Sequence, residues 1–274
     1  MMKKSRRSFL KVAGIAAIGL GAAPAMNFAA SVSHDTPKAV KSKNKKALTA
    51  GRWGMVIDTK KITEKMAKRI TAACHKQHNV PDFNHTPDPE RYPRTRPVNH
   101  TQEIKWIWKE KFHYAFPYKK DEFLAEKYRD MPFMVLCNHC KNPPCTKACP
   151  TKATFKRDDG VILMDFHRCI GCRFCMAACP YGARSFNFRD PRPFIDVTDP
   201  DFPTRSKGVV EKCNFCAERL AQGEIPHCVE VSDGAIVFGD LDDPESEIRV
   251  LLNEHYTIRR KQQMGTEPSV YYVM

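Results

Sequence analysis

Cys169-Ile170-Gly171-Cys172-Arg173-Phe174-Cys175-Met176-Ala177-Ala178-Cys179-Pro180 is a C-x2-C-x2-C-x3-C run closed by proline. Three thiolates this closely spaced wrap one iron–sulfide cube, and the fourth, carried off by a short helix, reaches a neighbouring cube. Upstream, Cys137, Cys140, Cys145 and Cys149 form C-x2-C-x4-C-x3-C, followed by Pro150. Exchange of the fourth ligands predicts one [4Fe–4S] cluster on Cys137, Cys140, Cys145 and Cys179. A second is predicted on Cys169, Cys172, Cys175 and Cys149.

Other uses of cysteine fit less well. An even count in an exported chain ordinarily suggests disulfides. A C-x2-C bridge, however, closes only a tiny loop and constrains the unfolded chain little. Zinc accepts C-x2-C pairs, but two four-cysteine runs ending in Cys-Pro are far more specific to clusters.

Four of the twelve cysteines remain. Cys213, Cys216 and Cys228 give C-x2-C-x11-C, and Cys74 stands alone upstream. Taken alone, the trio could be half a zinc ribbon and Cys74 a buried thiol. Counting back from Cys74 by the cluster spacing meets Ile70, Ala67 and Glu64, and counting four forward from Cys228 meets Ser232. Under the exchange rule these missing positions are the complete ligand set of one cluster, and the cysteines retained are the complete set of its partner. The reading is three [4Fe–4S] clusters, the third on Cys213, Cys216, Cys228 and Cys74, with no thiol left over.

The N-terminus reads as an address. Ser5-Arg6-Arg7-Ser8-Phe9-Leu10-Lys11 precedes an apolar stretch from Val12 to Ala23, the build of a signal peptide and not of a spanning helix. The adjacent arginines mark residues 1–30 as a twin-arginine leader, with cleavage after Ala25 or near Ala30, and imply export of a folded protein to the periplasm or another extracytoplasmic space. Residues 31–51 are a lysine-rich linker. The formal charge of +14 falls to +9 once the five basic groups of residues 1–25 are removed. Three ligated clusters of about −2 each would absorb most of that surplus, so the basicity is counter-charge and no nucleic-acid partner is expected. Beyond the leader no run of about 20 apolar residues exists, so the mature chain is expected to carry no transmembrane helix of its own.

Arg52-Trp53-Gly54-Met55-Val56-Ile57-Asp58, the segment from Leu136 to Cys145, and Lys212-Cys213-Asn214-Phe215-Cys216-Ala217-Glu218-Arg219-Leu220 carry a family resemblance. They resemble the four-cluster ferredoxin-like iron–sulfur subunits of the nitrate reductase, formate dehydrogenase and dimethyl sulfoxide reductase type, over most of residues 52–245. Within that family the leader, the missing cluster and the tail from Gly265 to Tyr272 are similar to the exported iron–sulfur subunits of Dsr-type membrane complexes, linked to sulfur metabolism. The resemblance implies a non-catalytic subunit relaying electrons between a polytopic quinone-interacting membrane subunit and a multihaem cytochrome c. The alternative it implies is the electron-transfer subunit of an exported molybdopterin-type reductase or dehydrogenase. By analogy, the lost cluster is the terminal one that faces a molybdenum-containing subunit.

The expected fold class is α+β and loop-rich: two nested ferredoxin-like modules of short antiparallel strands and helices. Residues 131–190 form the two-cluster module; 52–81 and 208–245 meet to form a degenerate one-cluster module. Residues 82–130 are a helical insertion, 191–207 a connector and 246–274 a C-terminal tail. Candidate strands are 54–59, 161–165 and 235–239, and the spacing of Trp106, Trp108, Phe112, Phe116 and Phe123 predicts a helix within 104–129. Asp158 and Asp159 read as a turn before Gly160. His75, His78, His139 and His167 flank cysteines and read as structural or hydrogen-bonding groups. No C-x-x-C-H occurs, so the chain carries no covalent haem of its own.

Overall fold

Trp53-Gly54-Met55-Val56-Ile57-Asp58 is almost continuously apolar, the pattern of a strand covered on both faces. In a computed structural model of the chain, these residues form β1 (Trp53–Asp58), buried along nearly its whole length. The structure describes residues 44–83, 90, 102–119, 128 and 131–274. The expected leader, most of the basic linker and Phe123 lie outside the described residues.

Helix α1 (Glu64–Gln77) follows β1. Thr63 caps it, its Oγ1 accepting the Met66 amide at 3.2 Å, with Glu64 in the first turn and His75 and Lys76 in the last, as the helix dipole favours. Ala67, Ile70 and Cys74 make its buried stripe at helical spacing. Next come β2 (Ile107–Glu110), α2 (Phe112–Ala115) and β3 (Phe133–Leu136), with β2 antiparallel to β3. The single helix expected in 104–129 is therefore interrupted: Ile107 and Trp108 sit in a strand. The reason is β3, four fully buried residues (Phe133-Met134-Val135-Leu136) whose backbone groups need a partner that β2 supplies.

Helix α3 (Pro144–Lys147) and the hairpin of β4 (Thr154–Lys156) and β5 (Ile162–Met164) come next, the hairpin turning through Asp158-Asp159-Gly160 with Gly160 at φ 84°. Helix α4 (Phe174–Ala177) leads to β6 (Ser185–Phe186), which pairs antiparallel with β7 (Val210–Glu211). Short helices α5 (Ala217–Leu220) and α6 (His227–Glu230) precede β8 (Ile236–Asp240). Helix α7 (Glu247–Glu254), β9 (Thr257–Ile258) and β10 (Val270–Val273) complete the chain.

The molecule is thus mixed α/β with short strands, few helices and much loop. Its largest sheet among the described residues has the order β8-β1-β10-β9. β1 pairs antiparallel with β8, Met55 opposite Phe238, and parallel with β10, Met55 opposite Val270. This pairing, with α1 packed on α6, brings residues 52–81 against 208–245. The last residues are no loose tail: β10 is an inner strand.

Tyr272 of β10 is wholly buried, edge-on to Phe116 with ring centroids 5.3 Å apart, yet its hydroxyl has no partner. Tyr272→Ala is expected to cost about 3–5 kcal/mol. Tyr272→Phe, which only removes an unsatisfied buried hydroxyl, is expected to be neutral or stabilising. Thermal unfolding midpoints of the two variants, measured anaerobically, check the contrast; a drop for Phe comparable with that for Ala would overturn it.

Candidate iron–sulfur centres

Each C-x2-C loop contains backbone in the left-handed region, which folds neighbouring cysteines onto one side of a tight turn. His139 has φ 41°, Gly171 φ 69°, Arg173 φ 63°, Phe215 φ 56° and Cys216 φ 50°. Such angles are costly for residues with a Cβ and persist only where their surroundings hold them. His139 is held by stacking on Phe215, with centroids 3.6 Å apart, and by the Ile162 amide donating to its Nδ1 at 3.0 Å. Burial and the Lys212 charge push its pKa well down, so the ring is neutral. Short helices α3 and α4 then carry Cys145 and Cys175 and lead on to Cys149 and Cys179. Pro144 opens α3, where its missing N–H costs nothing.

The cysteines gather in groups. Cys137, Cys140, Cys145 and Cys179 border one cavity together with Tyr181 and Arg184. Cys149, Cys169, Cys172 and Cys175 border another, beside Ile170 and Val210. Cys74, Cys213, Cys216 and Cys228 are all buried and lie within charge–charge range of one another. Cys213 also faces Cys137, and Cys175 faces Cys145 and Cys149, so the groups succeed one another through the molecule. Exposure rises along the series, from the buried Cys74 group to the exposed Cys172.

As bare thiols these groups resist ionisation. Burial, then repulsion from Cys213, Cys228 and Cys216, pushes Cys74 well up. Burial takes Cys228 up to about 12, and burial together with Cys137 takes Cys140 to about 12. Cys149 runs the other way: burial raises it, but hydrogen bonds led by the Thr154 amide, 3.5 Å from Sγ, outweigh that and lower it. Four thiolates can coexist in such a space only around a cationic centre.

Buried cations supply an independent test of fit. Arg184 is 5% exposed and Lys212 2% exposed, and among the described residues neither has a carboxylate partner. Lys212 Nζ donates to the carbonyls of Ile162 and Cys213. Arg184 Nη1 donates to Thr154 Oγ1 at 3.1 Å, and its buried Nη2 has no partner. By contrast the fully buried Arg205 pairs with Glu211 at 2.6 Å. An uncompensated buried charge costs several kcal/mol, and the anions nearest Arg184 are the sulfurs of Cys145, Cys175 and Cys137. A thiolate-ligated [4Fe–4S] cluster is anionic overall, so donors and counter-charges both fit it.

The positions without cysteine are put to other uses. Glu64 is exposed and pairs with Lys109 at 2.8 Å, while Ala67 and Ile70 lie in the buried stripe of α1. Ser232 Oγ donates to the Val229 carbonyl at 2.7 Å and accepts the Ile236 amide at 3.0 Å. Of the flanking histidines, His78 is the most engaged: Nδ1 lies 2.8 Å from the Cys74 carbonyl and 3.7 Å from its Sγ, and Nε2 lies 2.8 Å from Glu218. His75 is half-buried, its pKa lowered to about 4 by desolvation and by His78, whereas His167 is exposed. Sequence reading missed Arg184 and Lys212 as parts of the site; Lys212 adjoins Cys213, but its burial has no local signal.

Residues 130–191 match the 4Fe-4S dicluster domain. Over the whole chain, the protein is similar to the Hdr-like menaquinol oxidoreductase iron–sulfur subunit 1 of Archaeoglobus fulgidus, 38% identical over 98% of this chain and 97% of that one. The chain belongs to this family of iron–sulfur subunits. A selenate reductase subunit of Mesobacillus selenatarsenatis is 34% identical over 98% of this chain and 97% of its own. The menaquinone reductase iron–sulfur cluster-binding subunit of Nitratidesulfovibrio vulgaris is 34% identical over 81% and 88%. As a member of the family the chain is an electron-transfer subunit that binds [4Fe–4S] clusters, and it contains a ferredoxin-like domain.

Gly171 is required by geometry twice over. Its φ is 69°, and a Cβ there would lie 2.3 Å from the Gly208 carbonyl oxygen. Gly171→Ala is therefore expected to displace the loop between Cys169 and Cys172 and to lower iron per chain, read by metal analysis after anaerobic purification. Unchanged iron would show that the loop has more slack than this packing allows.

Proposed function

We propose that this chain holds three [4Fe–4S] clusters and relays electrons between a quinone-interacting membrane subunit and an exported redox partner. The observation that carries the reading is the gathering of twelve cysteines into sets of four, drawn from segments far apart in the sequence. The first cluster is assigned to Cys137, Cys140, Cys145 and Cys179, the second to Cys169, Cys172, Cys175 and Cys149. The third is assigned to Cys213, Cys216, Cys228 and Cys74. The pairing of β1 with β8 supports two nested modules, one continuous over residues 131–190 and one assembled from 52–81 and 208–245.

Bound clusters supply one-electron transfer without making or breaking bonds to substrate. The chain's own residues anchor the thiolates, exclude water and fix the nearby charges, the levers that set a cluster's potential. Thr154 and Phe215 donate their amides to the sulfurs of Cys149 and Cys213. Around Cys172 the exposed Ile170 and Phe174 offer an apolar face beside the most accessible thiols, which suits docking of a redox partner. The absence of thiol donors at Glu64, Ala67, Ile70 and Ser232 supports the loss of a fourth cluster as a unit.

Among the described residues no helix is long and apolar enough to cross a membrane, so membrane attachment is assigned to a partner. The twin-arginine sequence supports a periplasmic or equivalent location for the mature chain. Relatives named for menaquinol and menaquinone oxidoreductases favour a quinone-linked complex, here read as a Dsr-type complex that ends in a multihaem cytochrome c. A second reading, an exported molybdopterin-type reductase, is favoured by the equally full-length match to a selenate reductase subunit. Isolating the native complex and identifying its other subunits separates the two.

The ligand assignment has its own test. Cys74→Ala is expected to remove about four of about twelve irons per chain and one cluster's paramagnetic resonance signal, leaving the other two. Ser232→Ala is expected to leave iron content unchanged. Loss of iron from Ser232→Ala, or full iron in Cys74→Ala, would refute the third set.

A further inference from the structure

Between the first and second cysteine sets lies a charge that neither set's sequence motif includes. Arg184 immediately precedes β6, and its guanidinium borders the cavity of Cys137, Cys140, Cys145 and Cys179. The same guanidinium faces Cys175 of the second set. Nη1 is anchored on Thr154 Oγ1 at 3.1 Å and lies 3.5 Å from the Met164 sulfur. Thr154 in turn presents its amide to Cys149, again of the second set. Nη2 is buried and has no hydrogen-bond partner, and among the described residues no carboxylate pairs with the side chain.

From this placement we propose that Arg184 is a positioning cation shared by two neighbouring clusters, raising the reduction potentials of both together. The inference rests on the ligand assignment proposed above. Reduction adds one negative charge to a cluster, and a fixed cation in a low-dielectric interior favours the more negative state. One guanidinium between two such groups acts on both. Its planar fork has donors enough to face sulfur on two sides while tied to Thr154, a task for which an ammonium point charge is poorly shaped. The Cys74 set is coupled instead to Cys137 through Cys213, beside Lys212, and the sulfurs that act most strongly on Arg184 all belong to the other two sets. Its potential therefore stays nearly independent of this residue. The effect on function is to keep two adjacent steps of the relay matched, since a single residue moves both.

The experiment is a redox titration of the complete, cluster-loaded protein followed by paramagnetic resonance, with iron and sulfide measured on each sample. The signal of the third centre is identified by its loss in Cys74→Ala. In Arg184→Met two midpoint potentials are expected to fall together, each by at least tenfold in the one-electron equilibrium, about 59 mV. The third is expected to move by less than that. Arg184→Lys is expected to restore part of both shifts. A shift at only one centre, at none, or equally at all three, with iron content intact, overturns the proposal. If Arg184→Met loads poorly, Arg184→Gln is read the same way. If neither loads fully, loss of both neighbouring clusters with retention of the third supports the shared role, and any other pattern of loss overturns it. Failure of the underlying assignment is distinguishable, because the unsubstituted protein would then lack three cluster signals.

Discussion

The structure depends on a mutual electrostatic need between buried thiols and buried cations. Cys74, Cys213, Cys216 and Cys228 sit in an interior where burial and their own repulsion oppose ionisation. Lys212 sits beside Cys213, and Arg184 beside Cys145, Cys175 and Cys137, and among the described residues neither has a carboxylate partner. Thiolates alone, or the cations alone, would carry a large penalty in such an interior. Together, with an iron–sulfide core that is cationic toward its ligands and anionic as a whole once ligated, both are satisfied. This polar need sits within an apolar core that the short strands share, running from Met55 and Ile57 of β1 through Phe133 and Leu136 of β3 to Tyr272 of β10.

The remaining architecture keeps remote thiols within reach of one another. β1 lies between β8 and β10, so the segment that leads into the Cys74 helix is clamped from both sides by later parts of the chain. Packing of α1 on α6 then brings Cys74 toward Cys228. The aromatic layer of Phe112, Phe116, Phe133 and Tyr272 ties β10 to β3, and through β3 to the loop that begins the first cysteine run. Local sequence sets each turn, but the sheet decides which turns meet.

That division explains what could be read from the sequence. The two complete cysteine runs, the turn at Asp158-Asp159-Gly160 and the strands around Met55, Ile162 and Val237 were legible, because spacing and local apolar pattern specify them. The strand at Ile107–Glu110 was not: Trp106, Trp108, Phe112 and Phe116 mimic helical spacing, and only the need of β3 for a partner reveals the strand. Val270-Tyr271-Tyr272-Val273 reads as tail because so short a run signals a strand weakly until β1 stands beside it. Arg184 and Lys212 were invisible for a different reason. In a basic chain one arginine or lysine resembles any other, and the burial that gives these two their role is created by contacts made far away in sequence.

The central claim is that these thiols close in fours around iron–sulfide cubes. Iron, acid-labile sulfide and zinc measured on one anaerobically isolated preparation of the cluster-loaded chain test it most directly. The account requires about twelve irons and about twelve sulfides per chain and no zinc. Stoichiometric zinc, thiols recovered as disulfides, or iron that settles at about eight or about sixteen would contradict it.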